Sequence, residues 1–197
     1  MLHILLLAAG RSSRMRGADK LMQLVDNRSL INTMCKRALA TDHTVTVTLP
    51  VDAGARHQSI INLPLNIVPV PDTDLGMSLS IRTGINALPE TATAAMVLPA
   101  DMPDITTEDM NVMIATHHTA PDAILRGTSA DGKPGHPVIF PRNCFADIAN
   151  LAGDEGAKPV IRAFTGDIQM VALPANNALT DLDTPEEWAA WRARRSH

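Results

Sequence analysis

Four cations follow an apolar run near the N-terminus. Residues 4 to 22 read ILLLAAGRSSRMRGADKLM: Ile4 to Ala9 are apolar without a break, Gly10 ends the run, and Arg11, Arg14, Arg16 and Lys20 then stand against one acid, Asp19. The whole chain carries a formal charge of −4, so this concentration is local. Small residues at Ala8, Ala9 and Gly10 let a flat or charged molecule approach the backbone closely. Free N–H groups with Arg and Lys beside them make a phosphate cradle, Arg by bidentate hydrogen bonds and Lys as a point charge. The common phosphate loops do not fit, because GxxxxGK[ST] needs Gly where Met15 stands and GxGxxG does not occur. An ordinary connection with solvated arginines explains these residues equally well.

Two acids supply the complementary chemistry. AAMVLPADMPDI sets Asp101 directly after an apolar strand, a position suited to Mg²⁺, which takes one or two carboxylates together with substrate phosphates and water. A turn former or helix cap is the competing reading there, and Asp104 or Thr106 serves as the cap equally well. In DLDTPEEW, Asp183 precedes Thr184 and Pro185, which also reads as a helix start with Pro at its first position.

Other polar groups admit two readings each. LGMSLSIRTGI predicts a helix from about Gly76 or Met77 with Ser78 or Ser80 near its start, where capping alone accounts for a serine. His136 in PGHP invites the role of general base. A phosphate-monoester nucleophile has a second pKa of about 6 and needs no such base at neutral pH, so His136 is an acceptor contact or a loop histidine between two prolines. Asp154, Gly156 and Lys158 read as a helix start. His117 and His118 fall at a helix end, where positive charge complements the dipole, as do Arg192, Arg194 and Arg195. Trp188 and Trp191 have the spacing of a core-facing stripe.

These groups need a scaffold. Strands are predicted near residues 2–8, 44–49, 66–70, 94–99, 122–126, 136–140 and 168–173, and helices near 28–40, 53–62, 77–88, 106–118, 142–150, 155–165 and 185–195. The alternation predicts an α/β fold, a mainly parallel twisted sheet with helices on both faces, and TSADGKPGHPVIFPR suggests an antiparallel excursion. Such sheets bind ligands beyond the carboxyl ends of their strands, which is where the loops above lie. The 197 residues suit one domain. With no Tyr, three Phe and two Trp, stacking platforms for nucleic acid are scarce. Cys35 and Cys144 lie far apart without CxxC spacing, which fits a reducing, cytoplasmic setting, and no segment is long and apolar enough for a membrane span.

LAAGRSSRMRGADKL resembles the signature LAAGxSxRM(x)nK that opens the MobA-like nucleotidyltransferases, specifically the branch that transfers CMP to the molybdenum cofactor. Further segments carry the resemblance over most of the chain: DTDLGMSLSIRTGI, LPADMP, GKPGHPVIFPR, GDEGAKPVIR and DLDTPEEW. Lys20 lies ten positions after Gly10, with RGAD inserted where many members have a shorter link. The resemblance implies a three-layer Rossmann-like nucleotidyltransferase fold, with a nucleotide-binding half over about 1–105 and an acceptor-binding half over about 106–197. It implies that Ala8, Ala9 and Gly10 meet base and ribose, with Gly76 and Ser80 at the nucleobase. Arg14 and Lys20 would act on the phosphates, and Asp101 would be catalytic. Asp101 and Asp183 would hold Mg²⁺, with Asp181 a weaker candidate. Gly135, His136 and Lys158 would face the acceptor.

The implied ligands are CTP or another NTP and a phosphorylated molybdopterin-type acceptor, with a recipient molybdoenzyme as a further partner to a monomeric chain. LAAG, rather than the LAGG of the guanylyl branch, leans toward CTP. The alternatives are transfer from GTP or another NTP to a different phosphorylated acceptor, or a non-catalytic chaperone that delivers a cofactor.

Overall fold

The computed structural model describes residues 1–71 and 76–195; Asp72 to Leu75, which open the DTDLGMSLSIRTGI segment, lie outside the described residues. Strand β1 (Leu2–Leu7) is buried along its whole length. Its alternate side chains enter different cores, as the period of two in a strand requires: Ile4 and Leu6 on one face of the sheet, Leu5 and Leu7 on the other. The loop that follows makes two short 3₁₀ turns, Ser13–Met15 and Lys20–Met22.

A small hairpin, β2 (Leu24–Val25) and β3 (Arg28–Ser29), follows where a helix is predicted from 28. Its turn residues Asp26 and Asn27 have φ of 50° and 63°, the left-handed pair that a two-residue hairpin needs. Helix α1 (Leu30–Leu39) therefore begins at Leu30, with the Ser29 hydroxyl accepting from the Asn32 amide. The next elements are β4 (Thr44–Pro50), α2 (Gly54–Ile60), β5 (Asn66–Val70), α3 (Gly76–Asn86) and β6 (Ala94–Pro99). The distal half holds α4 (Thr107–Thr119), β7 (Ile124–Thr128), β8 (Pro134–Pro141), α5 (Phe145–Ala149), α6 (Lys158–Ala163), β9 (Ile168–Ala172) and α7 (Pro185–Arg195). The helix predicted over 142–150 is a 3₁₀ turn, Arg142–Cys144, running into the short α5.

Seven strands form one sheet in the order β5-β4-β1-β6-β8-β7-β9. β5, β4, β1 and β6 are mutually parallel, β8 runs antiparallel between β6 and β7, and β9 returns parallel to β7. The excursion expected after residue 126 is thus an interior strand. Register sets up the site: Leu7 lies opposite both Thr48 on β4 and Pro99 on β6, so the chain leaves β1 and β6 side by side. Because β8 runs the other way, its first residues arrive at that same edge.

Two cores sandwich the sheet, one including Met34 of α1, Met110 and Met113 of α4 and Trp188 of α7, the other including Ile81 of α3, Ile148 of α5 and Val160 of α6. Trp188 and Trp191 are buried edge to face, 5.6 Å apart at 75°, and the guanidinium groups of Arg192 and Arg195 lie 5.1 and 4.7 Å over their rings. The basic end of α7 thus packs on its own tryptophans besides meeting the helix dipole. His117 departs from the dipole expectation: it is buried, and burial, reinforced by His118, holds its pKa below the ordinary value and favours the neutral ring.

Candidate active site

The capping alternatives resolve first, because they decide which acids remain for a ligand. Helix α4 is capped by Thr106, whose hydroxyl accepts from the Asp109 amide while the Asp109 carboxylate accepts from the Thr106 amide. Asp104 accepts instead from Trp191 Nε1 at 2.7 Å. At α7 the Thr184 hydroxyl accepts from the Glu187 amide, and Glu187 accepts from the amides of Asp183 and Thr184. Neither Asp101 nor Asp183 has its side chain occupied in a cap.

Both carboxylates turn to one ammonium. Lys20 Nζ donates to Asp101 Oδ2 and, at 2.6 Å, to Asp183 Oδ1. Arg14 closes the group with a 2.8 Å ion pair to Asp183 Oδ2. The Leu182 amide donates to the Asp101 carbonyl, which brings the distal segment to the end of β6. Burial disfavours the Lys20 ammonium, but the charges and hydrogen bonds of Asp101 and then Asp183 outweigh it and leave its pKa raised. Asp181 stands aside without an ion pair to Lys20; partial burial and then the charges of Asp101 and Asp183 raise its carboxyl pKa.

The sequence reading did not single out Arg56. This buried α2 residue holds the whole turn: Nη1 donates to the carbonyls of Ala8 and Gly10, each at 2.7 Å, while Nε and Nη2 grip Asp19 at 2.6 and 2.9 Å. Ser12 Oγ donates to Asp19 and accepts from the Lys20 amide, so the knot orients the residue that carries the ammonium. Burial opposes charge on Asp19, yet Arg56 holds its carboxyl below the usual range. No local signal marks Arg56, which lies 46 residues from Gly10. The other expected cation of the turn, Arg16, faces outward to pair with exposed Glu186 at 2.6 Å.

Beside this rim lies a cleft of about 220 Å³, lined by Leu7, Ala9, Gly10, Lys20, Gly76, Ser80 and Asp101 among others. Ala8 needs correction. Its side chain is buried in the α1-side core and its carbonyl is taken by Arg56, so it does not line the cleft. Gly76 has a φ of 78°, and a Cβ there would sit 1.9 Å from Asp154 Oδ1, so only glycine permits this approach of α3 to the loop before α6.

The acceptor-side residues are also placed. Gly135 is buried with its Cβ position filled by the Ala178 carbonyl at 1.9 Å, so glycine there permits close packing of β8 on the Ala178 segment. His136 follows with Nδ1 buried and unpartnered among the described residues. Burial, then Arg126, pushes its pKa down to about 4, against opposing effects of Asp101 and the Val97 backbone. The ring is therefore neutral at pH 7. Lys158 is exposed at the start of α6, outside the cleft lining, though its charge also bears on His136.

Asp101 Oδ1 is buried without a hydrogen-bond partner among the described residues, an acceptor left unsatisfied by the protein. With Asp183 beside it, the donor set fits a hard divalent cation that also takes phosphate oxygens. No group of three or more His, Cys, Asp or Glu suited to a metal occurs among the described residues, so protein ligands alone would not complete the shell.

A rim of this kind, cations and carboxylates at the strand ends of an open α/β sheet with a slot beside them, defines an enzyme that handles nucleotide phosphates. The chain belongs to the MobA-like NTP transferase domain family, whose sequence pattern matches residues 4–170, and is a nucleotidyltransferase. It is 27% identical to "Purine catabolism protein PucB" of Bacillus subtilis, over 92% of this chain and 91% of that one. It is 23% identical to the "Probable molybdenum cofactor guanylyltransferase" of Rhodopirellula baltica, over 92% and 87%. The crystal structure of an Rv0371c homolog from Mycobacterium sp. strain JC1 superimposes with a TM-score of 0.85 at 27% identity, over 100% of this chain and 98% of that one.

Proposed function

We propose that the chain transfers CMP from CTP to the terminal phosphate of a molybdopterin-type cofactor and releases pyrophosphate. The observation that carries this reading is the convergence of Lys20 and Arg14 on Asp101 and Asp183 at the mouth of the cleft. An acceptor phosphate oxygen attacks the α-phosphorus; the new P–O bond forms as the bond to the bridging oxygen breaks, and the electron pair leaves with pyrophosphate. No proton need move, because the attacking phosphate is largely ionised at pH 7, and neutral His136 is not a base in this step.

Two anions must meet, and like charges about 4 Å apart repel by about 4 kcal/mol at an effective dielectric of 20. Lys20 and Arg14 offset that repulsion and orient the phosphate chain. Asp101 and Asp183 would hold Mg²⁺, which when bound neutralises phosphate charge. Ala9, Gly10, Gly76 and Ser80, which line the cleft, would meet the nucleotide, with residues about 1–105 on the nucleotide side and about 106–197 on the acceptor side of one domain. The chain works as a monomer in a cytoplasmic setting and passes its product to a recipient molybdoenzyme.

The methyl of Ala9 in the cleft lining supports CTP, since it narrows the slot where Gly would leave room for a purine. The guanylyltransferase name of the Rhodopirellula relative supports GTP as the second reading. Pyrophosphate release with isolated molybdopterin, Mg²⁺ and CTP, GTP or ATP in parallel tests both. A CTP preference is the expected result, a GTP preference defeats the choice of nucleotide, and nucleotide binding without turnover across phosphorylated acceptors favours a chaperone.

A further inference from the structure

Arg126 sits on β7 opposite Val138 of β8, and Val138 lies opposite Val97 of β6. Both valines belong to the α3-side core, so the Arg126 side chain leaves the sheet on that face. His136 precedes Val138 by two residues on β8, nearer the edge where β6 runs out toward Asp101, and the Arg126 guanidinium reaches the same stretch by donating Nε to the carbonyl of neighbouring Gly135 at 3.3 Å. The charges of Arg126, Asp101 and Lys158 all bear on the His136 ring.

Arg126 differs from the other partly buried arginines in what its guanidinium meets. Arg56 grips Asp19, while Arg82 and Arg142 direct Nη1 to the carbonyls of Leu151 and Ala92. Arg126 donates only Nε, to the Gly135 carbonyl at 3.3 Å, and forms no ion pair among the described residues. Burial lowers its pKa with no acid to oppose the shift. A partly buried guanidinium with both Nη groups available matches two oxygens of a phosphate.

We infer that Arg126 is the residue that recognises the acceptor, as a phosphate monoester held bidentately beside His136 with Lys158 as second cation. This rests on the transferase reading and deepens it by naming the side chain that holds the acceptor's terminal phosphate. Two phosphate oxygens engage the guanidinium, and the third is left to attack the α-phosphorus. Buried Nδ1 of His136 is a hydrogen-bonding partner for the same group.

Two measurements on the full chain test it. In the first, Arg126→Gln raises KM for isolated molybdopterin by about thirtyfold while KM for CTP stays within about twofold, and Arg126→Lys recovers part of the loss because charge survives without the fork. In the second, inorganic phosphate is titrated by ³¹P NMR into enzyme saturated with Mg²⁺ and a non-hydrolysable CTP analogue, which fills the Arg14–Lys20 turn. Arg126→Gln weakens phosphate binding by about tenfold or more, and Lys158→Met by less. Equal KM changes for both substrates, or unchanged phosphate affinity in Arg126→Gln, overturns the assignment. If wild-type enzyme ignores molybdopterin, the choice of acceptor fails, and the phosphate titration still decides Arg126. If Arg126→Gln does not fold, Arg126→Lys is read in both assays, and full retention of acceptor KM and phosphate affinity again overturns the bidentate site.

Discussion

Lys20 Nζ stands 2.6 Å from Asp183 Oδ1, across 163 residues of chain, and the same ammonium engages Asp101. Its charge lies between the two carboxylates proposed to hold a divalent cation, so the lysine would oppose a metal bound there.

Lys20→Met should therefore bind Mn²⁺ without nucleotide about tenfold more tightly than the parent, as read by electron paramagnetic resonance titration. The same variant should lose about 100-fold or more in turnover, because a cation at the reacting phosphates is gone. Equal Mn²⁺ affinity in the two proteins would contradict the competition.

Asp101→Asn keeps the shape and a hydrogen bond to Lys20, while Oδ1 has no partner to lose among the described residues. Its stability should fall by about 1 kcal/mol or less, whereas turnover drops by about 10²–10³-fold. Thermal melting and pyrophosphate release separate the two effects, and near-normal turnover removes the assigned role.

Arg56→Lys retains a charge but cannot reach Asp19 and the Ala8 and Gly10 carbonyls together. A cost of about 2–4 kcal/mol in chemical denaturation is expected, from broken buried pairing and unsatisfied carbonyls. A loosened turn should also raise KM for the nucleotide. A variant as stable as the parent would show that the knot does not hold the turn.

Acid should destabilise the fold through histidine. His136, pushed down to about 4, and His3 and His117, also lowered chiefly by burial, bind protons more readily when unfolded, so stability rises with pH from about 4 to about 6.5 and is lost as pH falls through that window. For His136 alone the loss approaches about 3 kcal/mol at the acid end. His136→Asn should flatten the melting temperature between pH 6.5 and about 4, and an unchanged slope would refute the neutral buried ring.

Much of the architecture is legible along the chain because burial writes it locally. Ile4 to Ala9 are apolar without a break since β1 is covered on both faces, and Pro185 after Thr184 marks the start of α7. The β2–β3 hairpin is not legible in the same way, because its strands are two residues each and the helix pattern from about residue 28 runs over β3. Asp101 by itself is ambiguous, since a carboxylate after a strand caps a helix as readily as it binds an ion. The choice falls to Thr106 and Thr184, which take the capping bonds and leave Asp101 in the cleft lining and Asp183 turned to Lys20 and Arg14.

What the order of residues determines unaided is the class of fold and the cationic turn, because periodicity and glycine placement act between near neighbours. Only the folded sheet decides which distant groups share a charge. β1 between β4 and β6 brings Arg56 to the turn and Asp101 beside it, Leu182 on the Asp101 carbonyl carries Asp183 in, and antiparallel β8 delivers His136 to the same edge with Arg126 of β7 alongside it. Coulomb and hydrogen-bond energies depend on separations in space, and the register of the strands sets those separations where spacing along the chain does not.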